Sequence, residues 1–366
     1  MNHEMYMQRC LELAEKGMRA AMPNPSVGAV LVHKGRIIGE GHTAPYGGPH
    51  GEVNCINSVT HTDRHLIPDA TLYVSLEPCS HYGKTPPCCD LIIEQQIKKV
   101  VIGTADPHEK VAGNGIKKLR DAGKEVIVGV LEKECRESNR RFFTFHEKKR
   151  PYIILKWAES ADGFLSPKIR VTPGSSHGLS PTLDGKKPVW VTNTYSRQLV
   201  HKWRSEEAAI LVGTQTVLDD NPSLDVRSWT GRSPVRVVID RIGKISSSYN
   251  VKNQKIKTIV LTEAIGMPNL DNLLYENVPF DGGFLPAVMA VLHSNNLVSV
   301  LIEGGRQTLQ SIIGAGLWDE ARVFKGGVFF NDGTPAPSFG HTPSRRQTVD
   351  NDELLIFRNY GKHDNI

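Results

Sequence analysis

His50-Gly-Glu52 is followed, further along the chain, by Glu77-Pro-Cys-Ser-His-Tyr-Gly-Lys-Thr-Pro-Pro-Cys88. One histidine and two cysteine thiolates have the softness that Zn²⁺ prefers, and three protein ligands leave the fourth position of a catalytic site to water. Bound zinc lowers the pKa of that water until hydroxide forms near neutral pH. Glu52 lies two residues after His50, so it can move the proton of the water without binding the metal. The two stretches therefore predict His50, Cys79 and Cys88 as zinc ligands and Glu52 as the catalytic residue.

Zinc deaminases of amino-pyrimidines and amino-purines divide the work in this way, with an H-x-E and a P-C half-motif. Their second half is usually C-x-x-C, whereas eight residues separate Cys79 from Cys88 here. Two alternatives stay open from the residues alone. A closed structural zinc site would need a fourth protein ligand, which His81 could supply, but Glu52 would then have no chemical role. Cys89 could replace Cys88, although adjacent residues cannot easily both face one ion, so we expect Cys89 to be a core or surface thiol.

The sequence around these stretches alternates between strand-like and helix-like segments. Apolar residues at helical spacing predict an amphipathic helix over 4–21, which Pro23-Asn-Pro25 then ends. The other expected elements are strands at 27–32, 36–39, 71–75, 99–103 and 125–129, and helices at about 88–97 and 115–122. This alternation is typical of a three-layer α/β domain.

A second domain is expected after the charged, proline-containing segment 146–152. We place the first domain at residues 1–148 and the second at residues 151–366. Apolar runs of strand length in the second domain predict the buried strands of a mostly parallel sheet. These runs are 152–156, 189–192, 209–213, 235–240, 258–262 and 298–302. The stretch from Ser166 to Pro188 is rich in Pro, Gly and Ser and is predicted to be a long surface loop.

The composition of the 366-residue chain is that of an ordinary globular protein, since 39% hydrophobic and 23% charged residues exclude global disorder. The net charge of +5 is spread along the chain, so nucleic-acid binding is not expected. No apolar run approaches the roughly 18 to 20 residues of a membrane helix, and the first residues lack the apolar core of a signal peptide. A soluble, cytoplasmic protein is expected. All six cysteines precede residue 140, which indicates metal binding or catalysis more than disulfides.

The two zinc stretches, together with Asn24-Pro-Ser-Val-Gly28 and Gly47-Gly-Pro-His50, resemble the deaminase half of the bifunctional riboflavin-biosynthesis deaminase-reductases. The resemblance implies a cytidine-deaminase-like three-layer domain with one zinc ion per chain, held by the ligands already named and served by the same glutamate. Two positions depart from the family pattern. Gly51 replaces an alanine, and Asn54 stands where a histidine is common.

The second half of the chain resembles the reductase half of the same family. The matching stretches are Lys156-Trp-Ala-Glu-Ser-Ala-Asp-Gly163, Val191-Thr192, Trp203-Arg204, Val212 to Pro222, Leu224 to Arg227 and Val238-Ile-Asp240. The resemblance implies a dihydrofolate-reductase-like fold that uses NADPH. In addition, Leu301-Ile-Glu-Gly-Gly305 precedes a helix-like stretch at 306–315. A strand, a glycine pair and a helix N-terminus are typical of a phosphate cradle.

The resemblance also implies which residues of the reductase half contact its ligands. The expected NADPH contacts are Ala158, Trp190, Thr216, Asp220, Gly305, Arg306, Gln307, Thr308, Leu309, Gln310 and Ser311. The expected substrate contacts are Arg204, Leu224, Arg227 and Glu303. Arg204 and Arg227 suit bidentate binding of a ribose 5-phosphate, and Glu303 can accept hydrogen bonds from sugar hydroxyls.

Two consecutive activities in riboflavin synthesis are therefore predicted. The first is zinc-dependent hydrolytic deamination of 2,5-diamino-6-(5-phosphoribosylamino)pyrimidin-4(3H)-one. The second is NADPH-dependent reduction of the ribosyl group of 5-amino-6-(5-phosphoribosylamino)uracil to ribityl. A homo-oligomer, a dimer or a tetramer, is also expected.

Two other functions compete with this prediction. A nucleoside or tRNA-editing zinc deaminase with a non-catalytic second domain is disfavoured, because the sequence lacks basic stripes with interleaved aromatic residues. A non-catalytic zinc-stapled module that binds a partner is the other alternative. Release of ammonia from the diaminopyrimidine, from cytidine or from neither would separate the three.

Overall fold

The computed structural model describes residues 2–83, 86–108, 112–168 and 189–359. The chain divides between Arg150 and Pro151 into two compact units, each with its own sheet. Among the residues described, no helix has both the length and the apolar character needed to cross a membrane.

The first unit is built on a five-stranded sheet within the described residues. Its strands are β1 (Gly28–His33), β2 (Arg36–His42), β3 (Thr71–Leu76), β4 (Lys99–Thr104) and β5 (Glu125–Val128). They lie in the order β2-β1-β3-β4-β5. β1 is antiparallel to β2 and β3, whereas β3, β4 and β5 are parallel. Because Leu76 at the end of β3 lies opposite Thr104 at the end of β4, the segments that follow them leave the same edge of the sheet.

Helices cover both faces of this sheet. They are α1 (His3–Ala21), α2 (Gly51–Asn57), α3 (Cys88–Glu94), α4 (Asn114–Asp121), α5 (Glu132–Ser138) and α6 (Arg140–Lys148), and a 3-10 helix spans His61–Asp69. Apolar side chains of α1 and α5 pack around Tyr73 and Val101 on one face. Those of α2, α3 and α4 pack around Leu72 and Ile102 on the other. The predicted three-layer arrangement is confirmed, although the helix predicted at 88–97 ends at Glu94.

The second unit is built on a larger sheet, of nine strands in the described part of the chain. Its strands are β6 (Tyr152–Glu159), β8 (Ala209–Val212), β9 (Val235–Ile239), β10 (Thr258–Thr262), β11 (Leu273–Asn277), β12 (Ser299–Ile302), β13 (Glu320–Lys325), β15 (Arg345–Val349) and β16 (Asp352–Arg358). A separate antiparallel pair joins β7 (Phe164–Pro167) to β14 (Gly333–Pro335). The large sheet has the order β11-β10-β9-β8-β12-β6-β13-β16-β15. All neighbours from β11 to β13 are parallel, which confirms the mostly parallel sheet, and β15 and β16 add an antiparallel edge.

The helices of the second unit are α7 (Thr194–Glu206), α8 (Thr214–Asp220), α9 (Phe284–Ser294) and α10 (Arg306–Gly314), with a short 3-10 helix at Asn250–Lys252. They pack against this sheet in three clusters: α9 and α10 in the largest, with side chains of β6, β8 and β12, and α7 and α8 in one smaller cluster each. Ile302 at the end of β12 lies opposite both Leu155 of β6 and Leu211 of β8. β8 and β12 end at this level and the segments that follow them meet at one edge, whereas β6 runs on to Glu159 and pairs there with β13.

The strand predicted at 189–192 is wrong. Val189 and Trp190 are 60% and 54% exposed, and the segment leads directly into α7, which begins after Asn193. The side chain of Asn193 accepts a hydrogen bond from the backbone N–H of Ser196 and so caps the helix. An apolar run predicts a strand only where a neighbouring strand can cover it, and these residues have their side chains in solvent.

The surface loop predicted from Ser166 to Pro188 does not begin as a loop. Ser166 and Pro167 belong to β7, where Ser166 lies opposite Thr334 of β14. The partner strand comes from far along the chain, so the local composition could not indicate it. Residues 169–188 of the predicted loop lie outside the described part of the structure.

Candidate active sites

The three predicted zinc ligands come from different places in the first unit. His50 is the N-cap residue of α2, Cys79 follows β3, and Cys88 is the first residue of α3. The Nδ1 atom of His50 lies 3.5 Å from Cys79 Sγ and 3.3 Å from Cys88 Sγ. All three ligand atoms lie within 4.8 Å of one another, and no other such cluster occurs among the described residues. An imidazole and two thiols that converge in this way fit the donor set of a zinc site with an open position.

Glu52 lies in the first turn of α2, two residues after His50, and its side chain is buried. Burial, and then the negative charge of Cys79, raise the pKa of Glu52 to about 7. A carboxyl group with a pKa near neutral can both hold and release a proton at physiological pH. The predicted catalytic residue therefore has the protonation behaviour of a general acid and base.

The two predicted thiol ligands differ in their surroundings. Hydrogen bonding, first with Cys88 and then with His50, lowers the pKa of Cys79 to about 4 against the opposing effect of burial. The pairing with Cys79, and then burial, raise the pKa of Cys88. The thiolate form of Cys79 is therefore favoured without a metal ion. A bound cation would also favour the thiolate of Cys88, because thiols bind metals without their protons.

The two alternative ligands lie in other settings. The thiol of Cys89 is buried and donates to the backbone oxygens of Pro78 and Gly115, at 3.3 and 3.6 Å. Burial raises the pKa of Cys89 to about 12, so this residue is a core thiol. His81 is exposed, and its ring stacks at 6.4 Å from that of His108. Among the described residues His81 is not part of the ligand cluster.

The two positions that depart from the family pattern both help to place α2. A Cβ atom on Gly51 would lie 2.5 Å from the backbone oxygen of Val27, so the helix approaches β1 more closely than an alanine would allow. The Asn54 side chain donates to the backbone oxygens of His42, at 2.8 Å, and Pro49, at 3.5 Å. Asn54 therefore ties the end of β2 and the residue before His50 to the helix.

In the second unit, a buried cluster of charges lies where β8 and β12 end, beside the middle of β6. Glu303 follows β12, and its two oxygens accept from Nε and Nη2 of Arg204 at 2.8 Å each. The Nζ atom of Lys156 on β6 lies 3.9 Å from the same carboxylate. Burial raises the pKa of Glu303, but the charges of Arg204 and Lys156 outweigh it and hold the pKa at about 2. Burial also lowers the pKa of Lys156, and Glu303 opposes that effect.

The predicted phosphate cradle lies beside this cluster. Gly305 is the N-cap residue of α10 and brings no side chain of its own to the first-turn N–H groups. The backbone oxygen of Gly304 accepts from the N–H of Gly213 at 2.9 Å, which joins the cradle to the end of β8. A Cβ on Gly305 would lie 3.2 Å from the Thr216 hydroxyl of α8. The structure thus brings Thr216 to the glycine pair, at a helix N-terminus of the kind that binds phosphate through backbone N–H groups.

The remaining predicted cofactor residues lie on several elements of the second unit. Ala158 is the second-last residue of β6, and Asp220 is the last residue of α8. Trp190 has the guanidinium of Arg197 4.8 Å from its ring centroid. The other predicted residues form the first turns of α10 and are Arg306, Gln307, Thr308, Leu309, Gln310 and Ser311. The side chain of Leu309 is in the core, so its backbone alone is available to a ligand.

Three of the four predicted substrate residues are paired with each other or buried, and the fourth is exposed. Arg204 is held by Glu303 and also donates to the backbone oxygen of Asp225 at 3.3 Å, so its guanidinium is already engaged. Leu224 has a φ of +50° and a side chain buried in the core. Arg227 is the most accessible, with its side chain 54% exposed and paired with Asp225 at 2.6 Å.

Sequence reasoning gave no role to Lys156 or Glu77. A lysine inside a run of apolar strand residues was the available signal for Lys156, since lysine is almost never buried without a partner. Glu77 is buried and accepts hydrogen bonds from backbone groups between Asp106 and Ile116. Those partners are 29 to 39 residues away in sequence, so no local pattern predicted them.

Comparison with protein families gives two matches that together cover most of the chain. Residues 151–350 match the RibD C-terminal domain, and residues 1–104 match the cytidine and deoxycytidylate deaminase zinc-binding region. The predicted fold classes of both units are confirmed by these matches.

Individual proteins are similar over nearly the whole chain. The riboflavin biosynthesis protein RibD of Aquifex aeolicus (strain VF5) is 37% identical over 364 residues, 96% of this chain and 97% of that protein. A solved diaminohydroxyphosphoribosylaminopyrimidine deaminase/5-amino-6-(5-phosphoribosylamino)uracil reductase from Thermotoga maritima is 37% identical, with a TM-score of 0.81 over 97% of this chain and 98% of that one. The RibD structure of Acinetobacter baumannii, form 1, is 28% identical, with the same TM-score and coverage, 0.81 over 97% and 98%.

Proposed function

Because the chain belongs to the RibD family of riboflavin-biosynthesis enzymes, we propose that His50, Cys79 and Cys88 bind the zinc ion of its deaminase and that Glu52 is the catalytic residue there. The chain is a bifunctional enzyme. It deaminates 2,5-diamino-6-(5-phosphoribosylamino)pyrimidin-4(3H)-one and then reduces the ribosyl group of the resulting uracil, with Zn²⁺ and NADPH as cofactors. We assign the deaminase to residues 1–148 and the reductase to residues 151–366. The division of the chain at Arg150 supports this assignment.

In the deaminase, the observation that carries the proposal is the convergence of three ligand atoms beside a buried carboxyl group. Zinc, when bound, supplies the Lewis acidity that makes water a nucleophile near neutral pH. His50 contributes Nδ1, which already lies between the two thiols. Glu52 takes a proton from the attacking water and returns it to the amino group, so that ammonia leaves as the carbon–nitrogen bond breaks. Its pKa of about 7 suits both transfers.

In the reductase, NADPH supplies the hydride, and the protein supplies position and charge. We assign Glu303 to the sugar hydroxyls of the substrate, because Arg204 and Lys156 keep its carboxylate ionised and fixed. Arg204 then positions Glu303 through two hydrogen bonds, whereas the sequence led us to expect that it binds the substrate phosphate. The exposed Arg227 stays the proposed partner of the substrate phosphate, and Gly305 and the first turn of α10 that of the NADPH phosphates.

Two adjacent cysteines allow a direct test of the zinc site. Cys88→Ser should lose zinc and ammonia release together, because a hydroxyl is a poor zinc ligand. Cys89→Ser should keep one zinc per chain and full activity, because a serine can make the same hydrogen bonds to Pro78 and Gly115. Metal content and ammonia release from the diaminopyrimidine, with cytidine as the alternative substrate, are measured on both variants.

Either of two results would contradict the assignment. Zinc retained in Cys88→Ser but lost in Cys89→Ser would show that Cys89 binds the zinc ion and Cys88 does not. Activity on cytidine in place of the diaminopyrimidine would indicate a nucleoside deaminase. A homo-oligomer, as a dimer or tetramer, and a cytoplasmic location stay predictions for this chain.

A further inference from the structure

Glu77, which lies between β3 and the proposed zinc ligands, has a buried carboxylate surrounded by backbone N–H groups. Its Oε2 atom accepts from Asp106 at 3.1 Å and Gly113 at 3.0 Å. Its Oε1 atom accepts from Gly115 at 2.8 Å and Ile116 at 3.1 Å. Glu77 is only 4% exposed. Neither metal binding nor proton transfer, as proposed above, uses this carboxylate.

Two of these four donors belong to the first turn of α4. The helix begins after Gly113, which has no side chain to cap it, so the first N–H groups need acceptors from elsewhere. Glu77 supplies them, and a negative charge is favoured at a helix N-terminus. Of the other two donors, Gly113 is the N-cap residue of α4, and Asp106 follows β4, the parallel neighbour of β3. One side chain thus fixes α4 and the segment after β4 to the segment after β3, which carries the proposed ligand Cys79.

The segment after β4 lies against residues that follow Cys79. The N–H of His108 donates to Asp106 Oδ1 at 2.7 Å, which holds residues 106–108 in a compact turn. The ring of His108 stacks at 6.4 Å on that of His81, two residues after Cys79. Asp106 is 9% exposed, so this segment is packed against the unit and is not a free loop.

We propose that Glu77 is a positioning residue of the deaminase, which holds residues 106–108 as the wall against which the pyrimidine substrate is oriented. The inference rests on the proposed deaminase site. It predicts that loss of the Glu77 acceptors misplaces substrate without releasing the metal, because Cys79 and Cys88 keep their own positions on the loop and on α3.

Glu77→Gln in the full-length, zinc-loaded chain tests the proposal. Glutamine has one acceptor oxygen and one NH₂ group, so two of the four backbone N–H groups would face a donor. We expect one zinc per chain and an unchanged reductase, with deaminase kcat/KM reduced about 10- to 100-fold, the loss typical of a small misplacement of substrate. A rise in KM should account for most of it.

Asn139→Ala is the matched control. Asn139 is buried in the same unit and makes two hydrogen bonds, at 3.0 and 3.1 Å, to the backbone of Ser26. Asn139→Ala should lower the melting temperature of the first unit about as much as Glu77→Gln does, but it should leave the deaminase KM unchanged. A similar rise in KM in both variants would overturn the proposal, because it would show a general effect of lost packing.

An unchanged KM in folded, zinc-loaded Glu77→Gln would also overturn the proposal. If that variant does not fold, Glu77→Asp is measured instead, since it keeps both oxygens on a shorter side chain. A raised KM in Glu77→Asp supports the proposal, and an unchanged KM overturns it. A wild-type enzyme that binds zinc but releases no ammonia from the diaminopyrimidine would overturn the proposed function itself, a result distinct from any difference between variants.

Discussion

At the scale of single residues, burial sets the chemistry of the first unit. Glu52 and Asp106 both have a pKa of about 7, and burial is the largest cause for each. For Asp106 the hydrogen bond from His108 acts in the opposite direction, and the nearby Glu77 and Cys79 add to the effect of burial. Two carboxyl groups near the proposed zinc ligands are therefore able to carry protons near neutral pH, whereas ordinary surface carboxyls are ionised there.

The raised pKa of Asp106 predicts a pH-dependent stability difference. The folded state keeps a proton up to about pH 7 that the unfolded chain loses near its ordinary value of 3.8, so the wild-type free energy of unfolding falls as the pH rises through this window. Asp106→Asn is neutral at every pH. The variant should therefore gain stability relative to wild type from about pH 4 to 7, by at most about 1.4 kcal/mol per pH unit.

Urea unfolding of both proteins at several pH values, followed by a probe in the first unit, measures this difference. The asparagine can still accept the hydrogen bond from the His108 N–H, so the comparison isolates the charge. A difference that is constant with pH, or that shrinks as the pH rises, would show that Asp106 is ionised in the folded protein.

The sequence predicted residues that lie in short, recognisable motifs, and it missed residues whose role depends on partners far along the chain. His50, Cys79 and Cys88 lie in two short stretches whose residue types are unusual together, and the structure brings their ligand atoms within 4.8 Å. The roles of Glu77 and Lys156 depend on partners far along the chain. No periodicity within a short segment carries that information, so only the folded chain could reveal them.

At the scale of elements, both candidate sites lie where parallel strands end. In the first sheet, Cys79 and residues 106–108 follow β3 and β4 at one edge. In the second, Gly213 and Glu303 follow β8 and β12, and Lys156 lies beside them within β6. Most parallel strands were predictable because their residues are buried on both faces and read as continuous apolar runs. β11 and β13 are also parallel, but the sequence analysis did not predict them. The antiparallel edge of β15 and β16 was also missed. β15 is largely polar, and the apolar run of β16 is only four residues long, 354–357, between charged residues.

Gly305 gives a prediction about the start of α10. A side chain there would meet the hydroxyl of Thr216, because even a Cβ lies 3.2 Å from it. Gly305→Val should therefore move the first-turn N–H groups and weaken NADPH binding about tenfold or more, equivalent to the loss of about one hydrogen bond to a charged group. The deaminase should be unaffected. NADPH is titrated into both proteins and followed by fluorescence.

Arg227→Ala is the control for that titration. Arg227 is exposed, pairs with Asp225 and is the proposed partner of the substrate phosphate, so its loss should leave NADPH affinity nearly unchanged while substrate affinity falls. Unchanged NADPH affinity in Gly305→Val would remove the start of α10 from the cofactor site. Equal losses of NADPH affinity in both variants would show that the two positions do not belong to separate ligands.

At the scale of the whole molecule, the chain carries two chemistries on two separate sheets. The division between Arg150 and Pro151 leaves each unit with its own core, and the family matches fall on either side of it. Two cores of this kind predict that damage to one active site leaves the other intact. Composition and the charged segment near Lys148 were sufficient to predict two domains, because a boundary requires only that few contacts cross it.

Glu52→Gln tests the central claim most directly, by measuring both activities on one full-length variant. Zinc content should stay at one per chain, because Glu52 is not a ligand, while ammonia release from the diaminopyrimidine falls about 10² to 10⁴-fold, the usual contribution of a general acid and base. NADPH oxidation with the deaminated uracil substrate should equal that of wild type. The account would be contradicted if the variant kept more than about a tenth of its ammonia release, or if NADPH oxidation fell in step with it.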